Sequence, residues 1–135
     1  MFNPGRREMT EYGKTIELGD ELLDLVRSVV EPGDEIPTVS NKRPNRIVSI
    51  DRSGLSVETL RSDRRGTGPQ MVPAWMIVAA WEHLRREGEL THSQLLNELN
   101  VKRSAFVCAL LAQFPDVVIR SSRPIVLELI RAEPS

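Results

Sequence analysis

VPAWMIVAAWEHLRREGELTHSQLLNELNVKRSAFVCALLAQFPDVVIRSSRPIVLELI, residues 72–130, passes through three helical patterns and ends in two strand patterns. Pro73 suits a first helical turn, where its missing N–H would have no partner anyway. Ala74, Ile77, Val78, Trp81 and Leu84 then recur at helical spacing as far as Gly88, a natural C-terminal stop. Thr91 with Gln94 three residues on forms a capping box, opening a short helix through Leu95, Leu96 and Leu99. A third helix is predicted over 102–114, with Val107, Leu110, Leu111 and Phe114 as its buried stripe, ended by Pro115-Asp116. Val117-Val118-Ile119 and the apolar run at 125–130 read as two strands joined through Arg120-Ser121-Ser122-Arg123-Pro124.

The region before this stretch carries fewer elements. A helix is predicted over 20–30, capped by Asp20, with Leu22, Leu23, Leu25, Val26, Val29 and Val30 as its apolar stripe and Pro32-Gly33 as its stop. Two prolines and polar residues make 36–45 an irregular connection. Val48 and Ile50, then Leu55 and Val57, alternate with polar residues about Arg52-Ser53-Gly54. This predicts a hairpin pairing Ile50 with Leu55 and Val48 with Val57, with Gly54 at positive φ. Two strands alone are marginal, so their apolar face must pack on a helix. Residues 1–15 lack apolar periodicity and read as a flexible lead-in, and 61–69 reads as a flexible basic loop.

At 135 residues the chain is large enough to bury a core without metal or disulfide. Its 40% apolar and 27% charged content is ordinary for a soluble domain. No apolar run approaches the roughly 20 residues of a spanning helix, and none follows Met1-Phe2-Asn3 as a secretory leader would require. A cytoplasmic protein without a membrane partner is expected. The lone Cys108, among Phe106, Val107, Ala109 and Leu110, reads as a small core residue in a reducing compartment.

The net charge of −1 is unevenly laid out. Residues 1–37 hold four basic and nine acidic side chains, whereas 38–66 hold seven basic and three acidic. Binding follows such local fields rather than the whole-chain balance.

Catalytic patterns are missing from the sequence. His83 and His92 have no metal-ligand spacing and no cysteine partner, and both read as solvated surface residues. Gly66-Thr67-Gly68 has neither the preceding strand nor the following Lys-Ser or Lys-Thr of a phosphate loop. Asp51 and Glu58 read as solvent-facing strand carboxylates. Trp81 reads as core and Trp75 as a cover for the hairpin face. The expectation is a protein that is not an enzyme and needs no cofactor.

Gly88-Glu89-Leu90-Thr91 before a short capped helix, followed by Lys102-Arg103-Ser104-Ala105-Phe106 opening the next, resembles the winged helix-turn-helix superfamily in element order and lengths. The run from Lys42-Arg43-Pro44-Asn45-Arg46-Ile47 onward looks loosely like accessory DNA-binding regions of bacterial restriction and phage-defence proteins. With the N-terminal helix and hairpin patterns read above, the expected fold is α+β, an N-terminal helix and β-hairpin packed on the C-terminal winged helix-turn-helix that the resemblance implies. The implied division is a lead-in at 1–15, the helix and hairpin at 16–70 and the winged domain at 71–131. The resemblance also implies a partner, duplex DNA, met by Lys102, Arg103 and Ser104 at the start of the third helix and by Arg120 and Arg123 on the wing.

Arg61, Arg64 and Arg65 would add electrostatic attachment from the basic loop. Past its first turn the third helix offers only Cys108, Ala112 and Gln113 to an outer face, so contacts directed at phosphates rather than bases are expected. The expected role is a transcriptional regulator or the DNA-recognition accessory of a defence system. The alternative is a protein-interaction module that dimerises or docks through the third helix and hairpin.

Overall fold

One helix is shared by two antiparallel sheets. The computed structural model describes residues 16–59, 66 and 68–130. Among them the chain forms α1 (Asp20–Val29), β1 (Glu35–Pro37), β2 (Pro44–Asp51), β3 (Gly54–Thr59), β4 (Gln70–Pro73), α2 (Ala74–Glu87), β5 (Glu89–Thr91), α3 (His92–Asn97), α4 (Ser104–Leu111), β6 (Val117–Ser122) and β7 (Ile125–Leu129). The first sheet has the order β1-β2-β3-β4 and the second β5-β7-β6. Helix α2 touches β3 and β4 of the first sheet and β5 and β7 of the second. The architecture is mixed α+β. No helix among the described residues is long and apolar enough to cross a membrane.

Helix α1 buries Leu22, Leu23 and Val26, with Leu25 and Val29 only partly covered. Its N-cap is Gly19, not Asp20. The Asp20 carboxylate instead meets the Arg52 guanidinium, while the Leu18 amide donates to the Arg52 carbonyl at 2.8 Å. The cap position is thus given up to a tie between the helix start and the β2–β3 turn.

The segment expected to be irregular holds β1 and the start of β2. Pro37 and Pro44 face each other at the end of that ladder, where neither needs an N–H to pair. Buried Asn45 donates its amide to the Ile36 carbonyl at 3.2 Å and the Arg43 carbonyl at 3.1 Å, which satisfies a polar group the interior would otherwise penalise. The hairpin forms with Ile50 opposite Leu55, as expected. A bulge between Ile47 and Ser49 then shifts the register, so Ile47 rather than Val48 faces Val57. Ile47 is fully buried and Val48 is exposed; a one-residue shift swaps faces because strand side chains alternate. At the turn the Ser53 hydroxyl (2.5 Å) and amide (2.9 Å) donate to Asp51, and these bonds hold its carboxyl below the usual value.

Gly54 has φ +138°, and a Cβ there would lie 2.1 Å from the Val72 carbonyl oxygen. The glycine lets β3 and β4 meet at full sheet contact. The sequence carries no strand pattern for β4, which holds only four residues, and Pro73 reads there as the first turn of a helix. Pro73 is in fact the last strand residue and the N-cap of α2, an extended position that its fixed φ suits. Strand β4 crosses the junction expected at 70–71, and one buried apolar cluster runs without a break from Leu18 to Leu127.

Gly88 ends α2 in the left-handed conformation, as its position predicts. The Thr91–Gln94 capping box forms with both bonds in place, 3.1 and 2.9 Å. Between the box and Gly88 lies β5, too short to carry a strand pattern.

Helix α4 is shorter than expected. Asn100 takes a left-handed φ of 56°, and Lys102 and Arg103 form a turn, so the helix begins only at Ser104 and ends at Leu111. Phe114 lies beyond it, buried, with its ring edge-on to Trp81 at 5.0 Å. Trp81 and Trp75 are both only partly buried against the core.

Candidate functional site

Helix α4 is enclosed. Ser104 and every residue from Phe106 to Leu111 are buried, leaving Ala105 alone at the surface. α2, α3 and β1 of the N-terminal sheet all pack against it. Cys108, read as a small core residue, is 0% exposed and is not on the outer face that the third helix was also expected to offer; burial pushes its thiol up to about 12, so it stays protonated and inert at neutral pH. Ser104 is 4% exposed and shares a 2.7 Å hydrogen bond with His92 Nε2. Its hydroxyl is engaged inside the protein and does not stand on an outer helix face.

Neither histidine is the solvated residue that its sequence context suggests. His83 is buried on α2, and its Nε2 has no partner among the described residues. His92 is half-buried at the start of α3 and bridges towards α4 through Ser104.

The cations sort into two groups. Arg46 pairs with Glu58, Arg52 with Asp20, Arg85 with Glu82, Arg86 with Glu87 and Arg120 with Glu128. Among the described residues, Arg27, Lys42, Arg43, Lys102, Arg103 and Arg123 have no carboxylate partner. Arg27 sits apart on α1, bonded to the Ile50 carbonyl at 3.3 Å. The other five lie on three neighbouring turns.

Two hydrogen bonds bring those turns together. Arg123, at the β6–β7 tip beside a cis Pro124, donates its Nε to the Ser40 carbonyl on the β1–β2 turn at 3.0 Å. Lys42 and Arg43 follow directly on that turn, both exposed. His92 lines the same cleft as Arg123, Ser40 and Asn41, and its bond to Ser104 ties the cleft to Lys102 and Arg103. Lys102 is exposed, and half-buried Arg103 donates to the Gln70 side chain.

Of the expected cations Arg123 lines this cleft, while Lys102 and Arg103 stand on the turn just before Ser104, the residue that His92 bonds. Arg120 is not part of this arrangement. It sits at a bulge in β6 against Glu128, in a hollow it shares with Glu87 and Glu89, so its charge is locally neutralised. Arg61, Arg64 and Arg65 lie outside the described residues.

Sequence reasoning did not place Ser40, Asn41, Lys42, Arg43 or His92 at the site, although Lys42 and Arg43 open the run that resembles accessory DNA-binding regions. A polar turn closing on two cations was the available signal for the first four. Nothing local indicates that it meets a hairpin tip 83 residues away. No family model, no curated protein and no solved structure matches the chain.

Proposed function

We propose that this chain is a non-catalytic DNA-binding protein that grips duplex DNA through its phosphates, with little reading of base sequence. The observation that carries this is the sorting of the cations among the described residues: five of the six without a carboxylate partner sit on three turns linked by two hydrogen bonds, Arg27 standing apart, while five elsewhere each pair with a carboxylate. Unpaired guanidinium and ammonium groups on one surface suit the regular negative charge of a duplex.

The order α2, β5, α3, α4, β6, β7, with sheet order β5-β7-β6, supports a winged helix-turn-helix scaffold at 72–130 with Arg123 at the wing tip. The enclosure of α4 argues against insertion of that helix in a major groove, and so against base-edge recognition. The role is then attachment to DNA, whether for a regulator or for an accessory of a defence system, working in the cytoplasm. The docking alternative uses the third helix together with the hairpin, and the helix half of it is disfavoured because Ala105 is the one exposed residue of α4.

Titration of duplex DNA at two salt concentrations tests this reading. Three phosphate contacts at a slope of about −0.9 each predict roughly 40-fold weaker binding on going from about 50 to about 200 mM salt. Affinity that does not change with salt, or no binding at the lower concentration, would remove the proposal.

A further inference from the structure

We infer that the cleft between the β1–β2 turn and the β6–β7 tip is a seat for one phosphate oxyanion; the choice of ligand rests on the DNA reading, which this inference deepens. The cleft is an open surface hollow of about 340 Å³, and its polar lining is Ser40, Asn41, His92, Ser122 and Arg123. Each of those side chains can donate a hydrogen bond, and no carboxylate lines the space.

Two of the donors are held in advance. Arg123 spends its Nε on the Ser40 carbonyl at 3.0 Å, and its two terminal NH₂ groups make no hydrogen bond to the described residues. That planar fork matches two oxygens of a phosphate. Asn41 accepts the Thr38 hydroxyl at Oδ1, which also lies 3.4 Å from the Arg43 amide. With its oxygen occupied, the amide group of Asn41 is left to donate. The Ser122 hydroxyl, exposed at the hairpin tip, has no partner among the described residues and supplies a further donor. His92 fixes the floor through its bond to Ser104. A pocket of fixed donors beside unpaired cations selects an oxyanion over a neutral or cationic ligand.

The test uses the full chain, with inorganic phosphate as the probe and side-chain amide and guanidinium resonances as the readout. Saturable shifts at Asn41 and Arg123 are expected. Asn41→Asp keeps the oxygen that Thr38 needs and replaces the donor by a carboxylate. It should weaken phosphate at least tenfold and duplex DNA about tenfold, with Tm unchanged.

Absence of saturable shifts in the unmodified chain overturns the seat even where DNA binds, as does an Asn41→Asp chain with unaltered affinities. Phosphate saturation without any DNA binding supports the seat and overturns the nucleic-acid reading instead. Duplexes ending in a phosphate or in a hydroxyl separate the two sources of the oxyanion. Equal competition assigns the backbone diester and preference for the phosphorylated end assigns the strand terminus; both support the seat.

Discussion

Reversal of Lys102, Arg103 and Arg123 to glutamate is expected to weaken duplex DNA binding by roughly a thousandfold, at about 1.5 kcal/mol for each charge-assisted hydrogen bond to phosphate that is removed. The slope of affinity against salt should fall by about one for each residue changed. The fold should tolerate the exchange. None of the three pairs with a carboxylate, Lys102 and Arg123 are exposed, and the Gln70 side chain that meets Arg103 can donate as well as accept. Arg120→Glu is the matched comparison. It places a carboxylate beside Glu128, Glu87 and Glu89, so it should lower Tm while changing DNA affinity far less. Equal losses from Arg120 and Arg123 would mean that the wing as a whole, rather than the face shared with the β1–β2 turn, meets the DNA.

Gly54→Ala should be the most damaging single methyl in the molecule. The new Cβ would lie 2.1 Å from the Val72 oxygen, 2.9 Å from the Ala74 nitrogen and 3.1 Å from the Pro73 carbonyl carbon. All three are backbone atoms at the junction of β4 and α2, so no side chain can swing aside. The residue would also keep a φ of +138°, which costs an L side chain roughly 1–3 kcal/mol. Overpacking adds roughly 1–3 kcal/mol more. A loss of about 4 kcal/mol is expected, a large part of what a domain of this size holds in reserve. Because the buried cluster is continuous, thermal unfolding should shift as one transition at both Trp75 and Trp81. A Gly54→Ala chain melting with the unmodified one would contradict the close β3–β4 approach.

Elements whose signals are local and repeated were readable from sequence. The Thr91–Gln94 box, the Gly88 stop and the apolar runs of β6 and β7 each depend on residues within a few positions of one another. Strands β1, β4 and β5 hold only three or four residues apiece, too few for alternation to show, and exist because a distant strand pairs with them. Pro37 and Pro44 then made β1 look like an irregular connection and Pro73 made the end of β4 look like a helix start, although each sits at a strand end. The bulge at Val48 and the enclosure of α4 by β1 are likewise tertiary outcomes, decided by packing rather than propensity.

The site divides the same way. Lys102, Arg103 and Arg123 stand out as cations on a helix approach and a hairpin tip. Arg120 looks equivalent to Arg123 until Glu128 is found opposite it. His92 looks like surface until Ser104 closes on it. Asn41 becomes a candidate only once Arg123 reaches the Ser40 carbonyl beside it.

Resonance mapping of the isotope-labelled full chain with a short duplex, at about 50 mM salt where phosphate contacts are strongest, tests the central claim most directly. Shifts confined to Ser40, Asn41, Lys42, Arg43, His92, Lys102, Arg103 and Arg123, with α4 from Val107 to Leu111 silent, are the predicted result. Shifts centred on α4, on Arg85 and Arg86 or on Arg120, with the three cationic turns unmoved, would contradict it.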